Sequence, residues 1–210
     1  LTKYVESSEN ATVADLAYSL STRRTMHQQR SFVVANDAAG LVEQLGTPRP
    51  AAPWTPAKNA APRLGFIFTG QGAQWHAMGR QLIQECPHFR QSLQRCDAIL
   101  KELPDAPEWS IVAELSKTKE TSLLGETLYS QTICTALQLA LIDLMECWGI
   151  KPSAVVGHSS GEMGAAYAAG ILTFESALIA AYYRGRYMSA NRDGGVPGGM
   201  MAVGLPEKKC

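Results

Sequence analysis

The chain has 210 residues, 46% of them apolar and 18% charged, which suits one medium domain with a small appendage and excludes a disordered tether. Nineteen basic residues cancel nineteen acidic ones, so no overall field draws nucleic acid or an acidic membrane surface, and a partner is expected in a pocket. The longest uninterrupted apolar run, Met163 to Phe174, falls short of the roughly 20 residues that span a bilayer, and Lys3, Glu6, Glu9 and Asp15 break up any secretory h-region.

The cysteines Cys86, Cys96, Cys134, Cys147 and Cys210 are odd in number and form no C-x-x-C pair. That pattern suits reduced thiols in a cytoplasmic compartment and speaks against zinc or a disulfide framework. The chain starts at Leu1 and stops at Lys208-Lys209-Cys210 without a closing element, as expected of a piece of something longer.

In chain order, the first helix signal begins at a Thr12 cap with Asp15 three residues on, and Val13, Leu16, Ala17 and Leu20 recur at helical spacing. Ser31 to Ala35 reads as a strand, and Ala38, Leu41, Val42 and Leu45 as a second helix. Residues 1–46 are thus expected to form a helix-strand-helix layer too slight to stand alone. Residues 47–62 hold Pro48, Pro50, Pro53, Pro56 and Pro62 and read as a linker, with Trp54 as an anchor onto a domain surface.

The main domain is expected over 63–199. Leu64 to Phe68 reads as a buried strand that ends in the loop Thr69 to Gln74. Phe89, Leu93, Cys96, Leu100 and Leu103 trace one helical stripe. Ile133, Leu137, Ala140, Leu141, Leu144 and Trp148 trace a longer one, closed by Gly149 and Pro152. Ser153 to Val156 is a second short strand before a tight turn and a small-residue helix, and Thr173 caps a further helix through Leu178, Tyr182 and Arg184. This order gives an α/β domain with a parallel sheet. Met200 to Leu205 reads as one more strand, beginning a further unit over 200–210.

Chemistry concentrates in Gly157-His158-Ser159-Ser160-Gly161, a G-x-S-x-G pattern between a strand and a helix, the context of a nucleophile elbow. Terminal glycines permit a strained reversal that pushes the Ser159 hydroxyl outward, and Ser160 contributes its backbone N–H. Gly70-Gln71-Gly72-Ala73-Gln74 also leaves the C-terminal end of a strand, so the two loops can meet at one sheet edge and supply two oxyanion donors. A phosphate loop is not supported, because G-x-x-x-x-G-K-[ST] is absent and Trp75 stands where a third glycine is needed. Of the histidines, His158 adjoins the serine too closely to take its proton and reads as a core or supporting residue. His76 reaches the site only if the next turn folds back, and His27 and His88 read as surface residues.

FTGQGAQW and GHSSGE, in that order, resemble the acyltransferase domains of polyketide synthases and the malonyl-CoA:acyl-carrier-protein transacylases, with fungal highly reducing synthases nearest. LAYSLSTRR, Leu16 to Arg24, resembles the linker between ketosynthase and acyltransferase. The resemblance implies a hydrolase-like parallel-sheet large subdomain, incomplete here, followed by the first strand of a ferredoxin-like subdomain. It implies Ser159 as the acyl-accepting nucleophile and Gln71 with Ser160 as oxyanion contributors. It also implies Arg184, flanked in the substrate site by Gln71 and His158, as the guanidinium that holds a malonyl carboxylate. The family's catalytic histidine is expected beyond Cys210, so the chain alone should be nearly inactive.

Implied partners are a malonyl-type acyl-CoA, an acyl carrier protein that bears the phosphopantetheine, and an adjacent ketosynthase, with no nucleic acid, membrane, metal or bound cofactor in this segment. Read without the resemblance, Arg184 suits a solvent-facing helix position, and Arg186 cannot share its face. Two rival functions stay open: a serine hydrolase built on the same elbow, and a non-catalytic interdomain adaptor, the latter for residues before Pro62.

Overall fold

The computed structural model describes residues 1–7, 12–25, 27, 31–47 and 63–190. The Pro-rich linker, Trp54 and the strand expected at Met200 to Leu205 lie outside these residues. The chain divides into two compact units, Leu1–Pro62 and Arg63–Cys210.

The first unit contains α1 (Thr2–Ser7), α2 (Val13–Thr22) and α3 (Ala38–Gly46). Thr12 caps α2 as its spacing predicts: its Oγ1 accepts from the Asp15 N–H at 3.1 Å and donates to Asp15 Oδ2 at 2.7 Å. Asp37 caps α3 by accepting from the Gly40 N–H at 2.7 Å. The unit's small core is Val5 of α1 and Leu41 of α3. Ser31 to Ala35, expected as a strand, is irregular, with Phe32 and Val34 exposed. Apolar alternation favours a strand only where a neighbour completes the ladder, and none does so among the described residues.

The second unit runs β1 (Gly65–Phe68), α4 (Arg80–Glu85), α5 (Pro87–Lys101), α6 (Ile111–Ser116), α7 (Thr127–Cys147), β2 (Ala154–Gly157), α8 (Gly161–Ala168) and α9 (Phe174–Ala190). Its spine is α7. Ile133, Ala136, Leu139 and Ala140 are fully buried against α5 and α9, together with Phe89, Leu93, Leu100, Ala177 and Leu178. Each large side chain removed from water contributes about 1.5–3 kcal/mol before conformational entropy is counted. This helix is long and apolar enough to cross a bilayer, yet 67% of its most apolar window is buried inside the protein, as befits a core helix.

Both strands expected in this unit form, and they pair in parallel with Gly65 opposite Ala154 and Phe68 opposite Gly157. The connection between them carries α4 to α7, the long crossover that a parallel pair requires. The His158 N–H then donates to the Phe68 carbonyl at 2.9 Å. The register therefore brings both strands to an end side by side, and the two loops leave from one edge.

Three six-residue helices, α1, α4 and α6, are not anticipated by periodicity. Tertiary contacts hold α6. Asp97 accepts from the Ile111 N–H at 2.6 Å at its start, while Arg80 donates to the Leu115 and Lys117 carbonyls at its end, at 2.9 and 2.6 Å. A cation at the C-terminus of a helix complements its dipole.

Candidate active site

The turn after β2 is tight because its glycines leave no alternative. A Cβ on Gly157 would lie 2.5 Å from the Glu162 Cα, and one on Gly161 would lie 2.3 Å from the Phe68 carbonyl oxygen. Between them Ser159 takes a left-handed conformation, φ +56°, which an L side chain adopts only at some energetic cost and which places its side chain outside the turn. Ser159 is exposed, and Ser160 begins α8 almost completely buried, at 1% exposure. The Ser160 N–H thus lies at the positive end of a helix, where a developing negative charge is favoured.

The loop after β1 touches this elbow. A Cβ on Gly70 would lie 2.6 Å from the His158 carbonyl oxygen and 3.0 Å from Ser159 Cβ. The loop is tied from behind, since Gln138 Nε2 of α7 donates to the Thr69 carbonyl at 2.8 Å and the Gly72 N–H donates to Gln74 Oε1 at 2.7 Å. The sheet edge thereby brings Gln71, Ser159 and Ser160 together as their spacing predicts.

Arg184 of α9 joins them. Its Nη2 donates to Ser159 Oγ at 3.2 Å and its Nη1 donates to Gln131 Oε1. Gln131 Nε2 then donates to Gln71 Oε1 at 2.7 Å. Four side chains from two loops and two helices are linked, with one cation among them. Arg184 is half-buried and points inward, so the solvent-facing reading of it does not hold. Arg186, two residues on, is exposed and pairs with Asp105, as expected of a residue on another face.

Gln131 is the residue that sequence reasoning missed. It sits within α7 at 1% exposure. In the sequence Gln131 stands between Ser130 and Thr132 near the start of a helix, a polar run that does not say where the amide points.

Of the histidines, His158 adjoins Ser159, while His76 and His88 lie away from it. His158 is exposed, so of the core and supporting roles expected of it the core one does not hold; its ring lies beside the loop after β1, with Nδ1 3.4 Å from where a Cβ on Gly70 would stand. His76 does not fold back toward Ser159: its Nε2 hydrogen-bonds with the Lys117 carbonyl at 2.9 Å, beside Arg80 at the end of α6. His88 is exposed against Cys147 Sγ at 3.1 Å, and His27 is exposed. Among the described residues no histidine hydrogen-bonds to Ser159 Oγ, and no group of three His, Cys, Asp or Glu is placed to hold a metal ion.

Comparison with known proteins agrees with this geometry. The family model described as acyl transferase domain matches residues 65–210, and one described as CurL-like, PKS C-terminal matches residues 1–45. The hybrid PKS-NRPS synthetase pyvA of Aspergillus violaceofuscus is 58% identical over 99% of this chain. The hybrid PKS-NRPS synthetase pytA of Aspergillus terreus is 54% identical, also over 99%. The chain spans 6% of the first relative's length and 31% of the second's.

Among solved structures, the acyl transferase domain of ZmaA matches with a TM-score of 0.74 at 30% identity, over 90% of this chain and 44% of that one. The malonyl-CoA:ACP transacylase of Synechocystis sp. PCC 6803 matches with a TM-score of 0.53 at 29% identity, over 61% and 40%. The helices around a parallel strand pair are accordingly part of the α/β acyltransferase fold. With the elbow, the glutamine loop and the inward arginine in place, the chain belongs to the acyl transferase domain family.

Proposed function

We propose that this segment loads a malonyl-type acyl group from acyl-CoA onto Ser159 and passes it to the phosphopantetheine thiol of an acyl carrier protein, within a polyketide synthase. The observation that carries the reading is the guanidinium of Arg184 at 3.2 Å from Ser159 Oγ. A hydrolase elbow has no need of a cation there, whereas an acyl group with a free carboxylate must bring its charge to a partner.

Ser159 Oγ attacks the thioester carbonyl, and the new C–O bond forms as the carbonyl electrons move onto oxygen. The N–H groups of Ser160 and Gln71 stabilise that oxyanion. Collapse breaks the C–S bond and releases the CoA thiol. The serine proton passes to a histidine base, which the family resemblance assigns downstream of Cys210, and from it to the departing sulfur. The carrier thiol reverses these steps and frees Ser159. The protein supplies no cofactor of its own here; the phosphopantetheine belongs to the carrier.

Residues 1–46 serve in this reading as the ketosynthase–acyltransferase linker. The synthase is cytoplasmic and handles no nucleic acid. Incubating it with radiolabelled malonyl-CoA and a pantetheine thiol distinguishes transferase from hydrolase. Label on the thiol is expected, at a rate well above release of free malonate, and is lost in Ser159→Ala. Free malonate as the main product would favour the hydrolase.

A further inference from the structure

The guanidinium beside Ser159 does not hold itself in place. Arg184 Nη1 donates to Gln131 Oε1, and the buried Gln131 reaches on to Gln71, so one amide spans from the arginine to the oxyanion loop. Its orientation follows from chemistry: a guanidinium only donates, so the amide oxygen faces it and the amide NH2 faces the Gln71 oxygen. The backbone makes room for this contact. A Cβ on Gly185, the residue after Arg184, would lie 3.1 Å from Gln131 Cβ and 3.1 Å from Leu128 Cα, so α9 approaches α7 closely at this point.

An amide oxygen is an uncharged acceptor, so it fixes the fork without neutralising it. A carboxylate at position 131 would form a buried ion pair with Arg184 and leave little of its charge for an incoming acyl group. An apolar side chain would leave Nη1 unpaired and free to turn. We propose that Gln131 is a positioning residue that sets acyl selectivity: it holds one edge of Arg184 and keeps the other edge, at Ser159, fully cationic for a carboxylate-bearing acyl group. The proposal rests on the reading that Arg184 pairs with the carboxylate of a malonyl-type substrate.

The test is the ratio of kcat/KM for loading malonyl-CoA to that for acetyl-CoA in the full-length synthase, which partial unfolding does not alter because both rates scale with the folded fraction. Gln131→Glu should lower the ratio by roughly tenfold or more, the loss of a charge-assisted contact. Gln131→Met, of similar size and without an acceptor, should lower it by a smaller factor, with the loss in KM for malonyl-CoA. Arg184→Ala is the control for the underlying reading. If Arg184→Ala leaves the ratio unchanged, the carboxylate reading fails. If Arg184→Ala lowers it while Gln131→Glu and Gln131→Met leave it at the wild-type value, the role given to Gln131 is overturned and the reading stands. If neither Gln131 variant folds well enough to load any acyl group, the residue is structural and the proposal is likewise overturned.

Discussion

At the scale of single residues, the site is built from a serine held left-handed and an arginine divided between two acceptors. Lysine offers a point charge and no fork, so Arg184→Lys should keep the sign and lose the geometry. We expect a fall of roughly tenfold or more in malonyl loading, mostly in KM, measured by single-turnover acylation. The thiols test burial directly. Cys134 is buried and its thiol is pushed up to about 11 by desolvation, and burial raises the Cys96 thiol further, with Asp97 and Asp143 adding to the effect. Cys147 is exposed. Iodoacetamide at about pH 8 should therefore alkylate Cys147 while sparing Cys96 and Cys134 until the protein is denatured, as read by peptide mass spectrometry.

The elbow serine, its neighbour and the meeting of the two loops are legible because glycines constrain the backbone locally, whereas the part given to Gln71 in particular comes from the family resemblance. Arg184 needed the family resemblance, since an arginine on a helix has no sequence mark of direction. Gln131 was illegible because its partners lie 53 and 60 residues away.

At the scale of elements, legibility follows length and local capping. The long stripes of α5 and α7 span several turns, and the Thr12 and Thr173 caps announce α2 and α9; Thr173 Oγ1 accepts from the Ser176 N–H at 3.1 Å. Six residues hold fewer than two turns, so α4 and α6 are decided by contacts remote in sequence. The segment at 31–35 failed for the opposite reason: a good local pattern lacked a ladder partner among the described residues. Shortening Leu139 to Ala in the buried spine should cost about 2–5 kcal/mol, against about 1 kcal/mol for Thr12→Ala at an exposed cap, both read from urea unfolding.

The junction of α6 and α7 gives a pH signature. Burial alone would raise the Glu114 carboxyl, but hydrogen bonds from Lys117, the Leu123 N–H and Ser122 outweigh it and hold the group below its ordinary value. A carboxyl lowered on folding stabilises the fold fully above its unfolded value and progressively less as pH falls through the folded one. Wild type should therefore lose urea resistance below about pH 4.3, the usual carboxylate value, and Glu114→Gln should show a flatter profile there.

At the scale of the whole molecule, one helix and one sheet edge organise the chemistry. The buried α7 presents Gln131 and Gln138 to the loop after β1, and the parallel pairing of β1 with β2 ends both strands where Ser159 must meet that loop. Zero net charge leaves no broad field over the molecule, and Arg184 is the one cation in the linked group of side chains at Ser159. The central claim is that Ser159 carries the acyl group. It is tested most directly by brief exposure of the synthase to malonyl-CoA, acid quench and peptide mass spectrometry. A hydroxylamine-labile malonyl ester on the Ser159 peptide, absent from Ser159→Ala, is the predicted result; an ester on another residue, or one that persists in Ser159→Ala, would contradict it.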